Sequence, residues 1–205
     1  MTVAGTPLPF EFVGGHVALD FTNTVSWGGE SRSEERLGSY AQLLKWVKEA
    51  GLPIDVASLE LRGKAEPQAA ARAVTEALAL RDDLHEFFLA RSRGGSLPAS
   101  LVGRMNRRLA DALGRLEVRE IREGKHRGLA WRVRAGRALD APLHWIVWEA
   151  AAVLTSNERI KRCANPTCGW VFLDRSRRGN RRWCDMAVCG SRHKARKYYR
   201  KKKRS

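Results

Sequence analysis

All four cysteines of this 205-residue chain fall within its last quarter, at Cys163, Cys168, Cys184 and Cys189. Their spacing is C-x4-C, fifteen intervening residues, then C-x4-C. Two close pairs on either side of a hairpin-sized insert meet the geometry of a four-thiolate zinc site, where each pair comes from one tight turn. The insert reads as a hairpin. Trp170 to Leu173 is a β-prone run after Gly169, Ser176 to Asn180 carries an Arg-Gly-Asn turn signal, and Arg181-Arg182-Trp183 leads back to the third cysteine. Ser191 then reads as the N-cap of a helix running through His193, Ala195, Tyr198 and Tyr199. A knuckle, a hairpin and a second knuckle opening a helix make a treble-clef-like unit. Its single zinc would be structural, because four cysteines fill the shell and leave no position for a substrate or for His193 as a ligand. The alternative of two disulfides requires an oxidising compartment, and the segment MTVAGTPLPFEF lacks the basic start and long apolar run of a secretion signal.

The residues around the cysteines resemble the CGNR zinc finger. The pattern is Arg162-Cys163-Ala164, Pro166, Cys168-Gly169-Trp170, Phe172, Asp174, Ser176, Arg181-Arg182-Trp183-Cys184, Met186 and Cys189-Gly190-Ser191-Arg192. Ser191 stands where the family has Asn. The resemblance implies a bacterial transcription regulator with the finger as its DNA-binding element. Further upstream, Gly14 to Thr24 contains Leu19-Asp20-Phe21-Thr22-Asn23-Thr24, similar to the LDF-x-NT opening of the ABATE domain, which usually precedes this finger. That resemblance implies a sensor of a stress-related small-molecule effector, with His16, Asp20, Asn23 and Thr24 as candidate ligand-binding residues. The residues read by themselves favour capping: short polar side chains near a helix end satisfy backbone groups.

Charge divides the chain. The net charge is +16, and from Arg159 to Ser205 there are 17 Lys/Arg against Asp174 and Asp185. Residues 1–158 carry 21 basic and 20 acidic side chains. A neutral body with a cationic arm is the footprint of a polyanion-binding protein. The expected domains are therefore 1–158, an independent body, and 159–205, the finger with its basic helix and tail. No stretch approaches the apolar length that spans a bilayer. The expected location is the cytoplasm of a bacterium, at the nucleoid.

The body reads as mainly helical. Ser39 caps a helix with Tyr40, Leu43, Leu44 and Val47 inward, ending at Gly51, and a weaker helix follows near Ile54–Leu61. Pro67 opens a long helix to about Arg93 with Ala73, Ala77, Leu80, Leu84 and Phe87 on one face. Pro98 opens another, with Leu101, Val102, Met105, Leu109, Ala112 and Leu113 inward. Leu116–Ile121 and Leu129–Val133 form a hairpin, while residues 30–36 read as a loop. A strand near Phe10–Val13 would join the hairpin in a small antiparallel sheet. The helix after Pro142, with Leu143, Ile146, Val147, Ala150, Val153 and Leu154, is the expected centre of the core. The fold class is α+β: a helical N-terminal domain with a small antiparallel sheet, plus the zinc finger.

Duplex DNA is the expected partner. The candidate contacts are Arg175, Arg177, Arg178, Arg181 and Arg182 in the insert, with Ser191, Arg192, His193, Lys194, Arg196, Lys197 and Arg200 on the last helix. Arginine grips phosphate or guanine edges with two N–H groups, and lysine serves as phosphate charge. Arg181 and Arg182, beside Cys184, are expected as phosphate clamps, and Lys201 to Lys203 as diffuse charge. Ala195, Tyr198 and Tyr199 would pack on the insert. Structured RNA is an alternative target, with Trp170, Trp183, Tyr198 and Tyr199 available for stacking. A zinc-stapled protein-interaction module is another. No enzyme is expected: the cysteines are committed to metal, the five histidines form no pair at metal-binding spacing, and no phosphate loop or nucleophile elbow is present. The oligomeric state stays open.

Overall fold

The computed structural model describes residues 8–28, 31–123, 126–134 and 138–202. Helix α1 (Val17–Thr22) is followed by strands β1 (Val25–Gly28) and β2 (Ser31–Glu35), and then by α2 (Tyr40–Glu49), α3 (Val56–Ala65) and the long α4 (Pro67–Ser92). Helix α5 (Ala99–Arg115) runs straight into β3 (Leu116–Glu123), which turns back as β4 (His126–Val133). Helix α6 (Ala141–Thr155), β5 (Ile160–Arg162), β6 (Val171–Leu173), a π-turn at Met186–Gly190 and α7 (Ser191–Lys202) complete the chain. Among the described residues no helix is long and apolar enough to cross a membrane.

The core follows the apolar spacing. On α6, Leu143, Ile146, Val147, Ala150 and Val153 are buried, and α6 packs against α1, α4 and α5. On α4 the expected face of Ala73, Ala77, Leu80, Leu84 and Phe87 is buried, joined by Ala70 and Phe88. Helix α2 starts at the expected cap, with Gln42 N–H donating to Ser39 Oγ at 3.2 Å. Its Trp46, outside the expected stripe, is among the largest fully buried side chains and meets Phe21 edge-on at 5.1 Å. Leu113 of α5 was expected inward and is 52% exposed, because it lies about 100° around the helix from the buried Ala112.

The β structure differs from the expectation in two respects. There is no single sheet: β1–β2, β3–β4 and β5–β6 are three separate antiparallel pairs. Residues 10–13 form no strand, and the stretch read as a loop supplies β2. The reason is a polar anchor that periodicity does not reveal. Glu35 at the end of β2 accepts both arms of Arg81 from α4, at 2.6 and 2.7 Å, and Arg81 is 1% exposed. A buried guanidinium requires such a bidentate partner. Burial alone would raise the Glu35 carboxyl, but Arg81 holds it below the ordinary value.

In the C-terminal region β6 pairs with β5, in the register Ile160↔Leu173 and Arg162↔Val171, and not with the returning Arg181–Trp183. The 176–180 turn is present, with Gly179 at φ 58°, a conformation suited to glycine. The packing does not divide at residue 158. Ile160, Val171 and Leu173 belong to the same buried cluster as Leu19, Phe87 and Ile146.

Candidate metal centre and basic surface

The four cysteines converge. Their Sγ atoms all lie within 4.8 Å of one another, and all four residues are buried and free of disulfide bonds. Cys168 and Cys184 Sγ are 3.7 Å apart, and Cys184 and Cys189 Sγ 3.6 Å. A tetrahedron with zinc–sulfur bonds of about 2.3 Å has edges of about 3.8 Å, so the donor set fits zinc. The mutual hydrogen bonds of the thiols, Cys168 to Cys163 foremost, lower the Cys163 thiol and raise those of Cys168 and Cys184. A divalent cation resolves that competition, since all four must be thiolates to ligate it. One structural zinc with four protein ligands is the result.

Local chemistry builds each half of the site. In the first knuckle Cys163 N–H donates to Trp170 O and Cys168 N–H to Asn165 O, both at 2.9 Å. Asn165, 1% exposed, points its Nδ2 at Cys189 Sγ (3.5 Å) and accepts from Arg196 at Oδ1 (2.7 Å). This outer residue was not foreseen, although a polar side chain between two ligands is where a thiolate finds its N–H donor. In the second knuckle Asp185 caps the π-turn by accepting from Val188 N–H at 2.7 Å. Ser191, expected as the cap, already has helical angles (φ −67°, ψ −42°), so the helical path begins one turn earlier.

Asp174 organises the insert. It is 1% exposed; burial would raise its carboxyl, yet Lys161 Nζ (2.7 Å), Ser176 Oγ (2.6 Å) and the N–H of Ser176 (3.0 Å) hold it well below the usual carboxylate range, and the N–H of Arg181 also donates to it at 3.0 Å. Trp170 and Trp183 are 7% and 8% exposed and line the small core beside the cysteines.

The candidate nucleic-acid contacts separate into two sets. Arg181 is spent inside the fold. Its guanidinium donates to the carbonyls of Trp183 and Val13, both at 3.0 Å, and to Cys184 O, and lies 4.3 Å over the Phe172 ring. It is a staple and not the phosphate clamp that its position beside Cys184 suggested. Arg175 pairs with Glu158 (2.9 Å) and Gly15 O (3.1 Å), and Arg196 holds Asn165. By contrast Arg177, Arg178, Arg182, Arg192 and Lys194 are exposed, and none makes a hydrogen bond or ion pair among the described residues. Arg182 only lies over Trp183, at 5.3 Å. His193 is exposed and sits against the Trp183 ring at 4.8 Å, while Ser191 Oγ faces Met186 O at 3.5 Å. The side chains of Lys197, Tyr198, Arg200 and Lys201 and all of Lys203 lie outside the described residues. Ala195 and Tyr199, expected to be packed on the insert, are exposed, Tyr199 at 66%. His193 faces Trp183 of the insert instead, and Arg196 reaches Asn165 and Thr167 in the first knuckle.

The residues of the N-terminal signature hold the chain to itself. His16 Nδ1 accepts from Ala18 N–H (3.3 Å) as the cap of α1, and its Nε2 faces Glu149 at 3.2 Å. Asp20 accepts from Gly14 N–H at 2.7 Å, and its burial pushes the carboxyl up to about 6. Thr24 Oγ1 donates to Phe21 O at 2.7 Å. Asn23 reaches across the chain. Its Nδ2 donates to Val171 O (2.9 Å) and its Oδ1 accepts from Val171 N–H (3.1 Å). With Leu173 N–H donating to Gly14 O at 2.8 Å, Asn23 and Gly14 cover the outer edge of β6 as a strand would. Trp170 Nε1 to Val25 O (2.7 Å) and His85 Nε2 to Gly169 O (2.8 Å) extend the seam. Burial lowers the His85 pKa, so the ring is neutral and donates from Nε2.

Comparison with known families agrees with this arrangement. Residues 159–202 match the family described as "CGNR zinc finger", which covers the knuckles, the insert and α7. Residues 15–157 match ABATE, described as "Putative stress-induced transcription regulator". No protein of curated function matches the chain. The second match spans well over half of the sequence, and with it the chain belongs to the ABATE family, joined at its C-terminal end to a CGNR zinc finger.

Proposed function

We propose that this chain is a DNA-binding transcription regulator that grips duplex DNA with the exposed cations of its zinc finger. The observation that carries the reading is the division of labour among the arginines. The finger uses Arg175, Arg181 and Arg196 to build itself, yet leaves Arg177, Arg178, Arg182, Arg192 and Lys194 exposed, with no acidic partner among the described residues. Only two acidic residues lie beyond position 158, and Asp174 is buried under Lys161 while Asp185 caps a helix. Charge left uncompensated over such a compact unit favours a polyanion. Burial of Trp170 and Trp183 removes the rings best placed to stack on unpaired bases, which favours a duplex over single-stranded RNA. We assign no catalytic residue.

The test is binding of the zinc-loaded full chain to duplex DNA, scrambled duplex and structured RNA over a salt series. Engagement of about five cations gives a log–log slope near −4.5, from about 0.9 per phosphate. A selected duplex should bind more tightly than scrambled DNA. Arg192→Ala, in the first turn of α7, should reduce that preference by about 1–3 kcal/mol. A preference for RNA at matched salt would overturn the choice of target. Binding to neither, with no salt dependence, would leave the finger as a protein-interaction module.

A further inference from the structure

The hairpin β3–β4 packs on α6, where Trp131 meets Trp148 at 5.7 Å, and among the described residues it leaves one edge unpaired. Arg134 N–H donates to Arg115 O at 2.7 Å, in line with the register Leu116↔Val133. This fixes the phase of the ladder: odd-numbered residues of β3 bond to β4, and the N–H and C=O of Val118, Glu120 and Arg122 point outward. Among the described residues β3 pairs with β4 alone. Val118, Arg119, Glu120 and Arg122 are all exposed. The outer edge of β6 is covered by Asn23 and Gly14, whereas that of β3 has no such cover among the described residues.

We propose that this edge is a dimer interface, on which a second copy of the chain pairs antiparallel with β3, Ile121 opposite Ile121. The side-chain order makes the edge its own complement. Residues 119–123 read Arg-Glu-Ile-Arg-Glu. With Ile121 on a two-fold axis normal to the sheet, Glu120 of each copy faces Arg122 of the other, so both charged pairs beside the axis are of opposite sign. The outward-pointing backbone of Glu120 and Arg122 supplies four hydrogen bonds across the axis. Displacing the axis by one residue puts Glu120 against Glu120 or Arg122 against Arg122, and like charges directly opposite are destabilising. Displacing it further toward Leu116 drives the second copy into α5, which ends at Arg115. The charges thus select one register, as sheets without a buried face otherwise fail to do.

The hairpin itself leaves Arg122 in need of a partner. Its cross-strand neighbour is Arg127, and its contact with Glu120 on the same strand is 3.7 Å, between side chains 65% and 54% exposed. Charges on an open edge can instead serve to keep other strands away, and single-sign lysines suit that purpose. The alternating self-matching order here does the reverse. The result is a four-stranded sheet with isologous symmetry and a finger on each side of the axis.

The experiment is sedimentation equilibrium of the zinc-loaded full chain over a concentration series, with circular dichroism to verify the fold of each variant. The wild type should dimerise. Arg122→Glu and Glu120→Arg should each weaken self-association about tenfold or more, since each places like charges at both symmetric positions. Arg122→Glu loses the contact with Glu120 but puts a carboxylate opposite Arg127, so one opposite-charge pair in the hairpin replaces another. Mixing the two variants should restore the dimer, because every 120–122 pair is then of opposite sign, and the double variant E120R/R122E should dimerise by itself. A wild type that stays monomeric up to its solubility limit overturns the proposal. So does a dimer indifferent to the single variants, or a mixture that fails to associate.

Discussion

Removal of the Asn23 side chain tests how the body and the finger are joined. Asn23 is 2% exposed, and its amide bonds both the N–H and the C=O of Val171, which is 0% exposed. Asn23→Ala leaves two buried backbone groups without their partners. An unsatisfied buried polar group costs about 1–3 kcal/mol, so the substitution should destabilise the chain by roughly 3–5 kcal/mol. Asn23→Asp should be at least as harmful: one oxygen can still accept from Val171 N–H, but the other confronts Val171 O with a negative charge. The assay is urea unfolding of the zinc-loaded chain by circular dichroism, in parallel with zinc release to a chromogenic chelator. Both signals should shift together, since β6 lies between Asn23 and the cysteines. A change below about 0.5 kcal/mol in Asn23→Ala would refute the argument and return Asn23 to the pool of candidate effector contacts.

Further outcomes follow from other sites. Chelation of zinc should abolish the near-ultraviolet signal of Trp170 and Trp183 and also lower the melting temperature of the helical body, because Ile160, Val171 and Leu173 sit in its core; an unchanged helical transition would contradict this. Arg181→Ala should cost about 2–4 kcal/mol by freeing buried carbonyls, while Arg182→Ala should leave stability within about 0.5 kcal/mol and weaken only DNA binding. Asp20, with its carboxyl raised from 3.8 to about 6, binds a proton in the folded chain over a range where the unfolded chain has lost it. Its contribution therefore falls as pH rises through that window, and above about pH 6 its ionisation opposes folding by up to about 3 kcal/mol. Asp20→Asn keeps an acceptor for Gly14 N–H, so it should stabilise the chain at neutral pH, with the gain shrinking toward pH 5; a gain that is independent of pH would refute the assignment.

The metal site was legible because its signal is local. Thiolate spacing within each knuckle dictates the turn, and no tertiary knowledge is needed to place Cys163, Cys168, Cys184 and Cys189. The helical core was legible for a similar reason, since Ala73 to Phe87 and Leu143 to Val153 repeat at the helical period. What escaped were contacts between residues distant in sequence. The pairing of Arg81 with Glu35 turned a polar stretch into β2, and nothing in residues 30–36 announces it. Arg181 and Arg182 are adjacent and chemically identical, yet one is folded inward over Phe172 and the other faces solvent. A count of basic residues cannot make that distinction. Asn23 carried a signal as part of a polar cluster at a helix end, but its partner is Val171, across almost the whole chain.

The anchoring of α7 sets how firmly its residues are aimed. Cys189 lies in the π-turn that leads without a break into the helix, and Arg196 ties the next turns to Asn165, itself bonded to Cys189 Sγ. The helix is a cantilever clamped at the metal. At 1.5 Å per residue its twelve residues reach about 18 Å, so a tilt of about 5° at the root displaces the tip by about 1.6 Å. At Arg192, three residues from Cys189, the same tilt amounts to a few tenths of an ångström. Angular play thus grows along the rod: its root can hold a donor to the tolerance that a base edge demands, and its far end can follow a curved phosphate backbone.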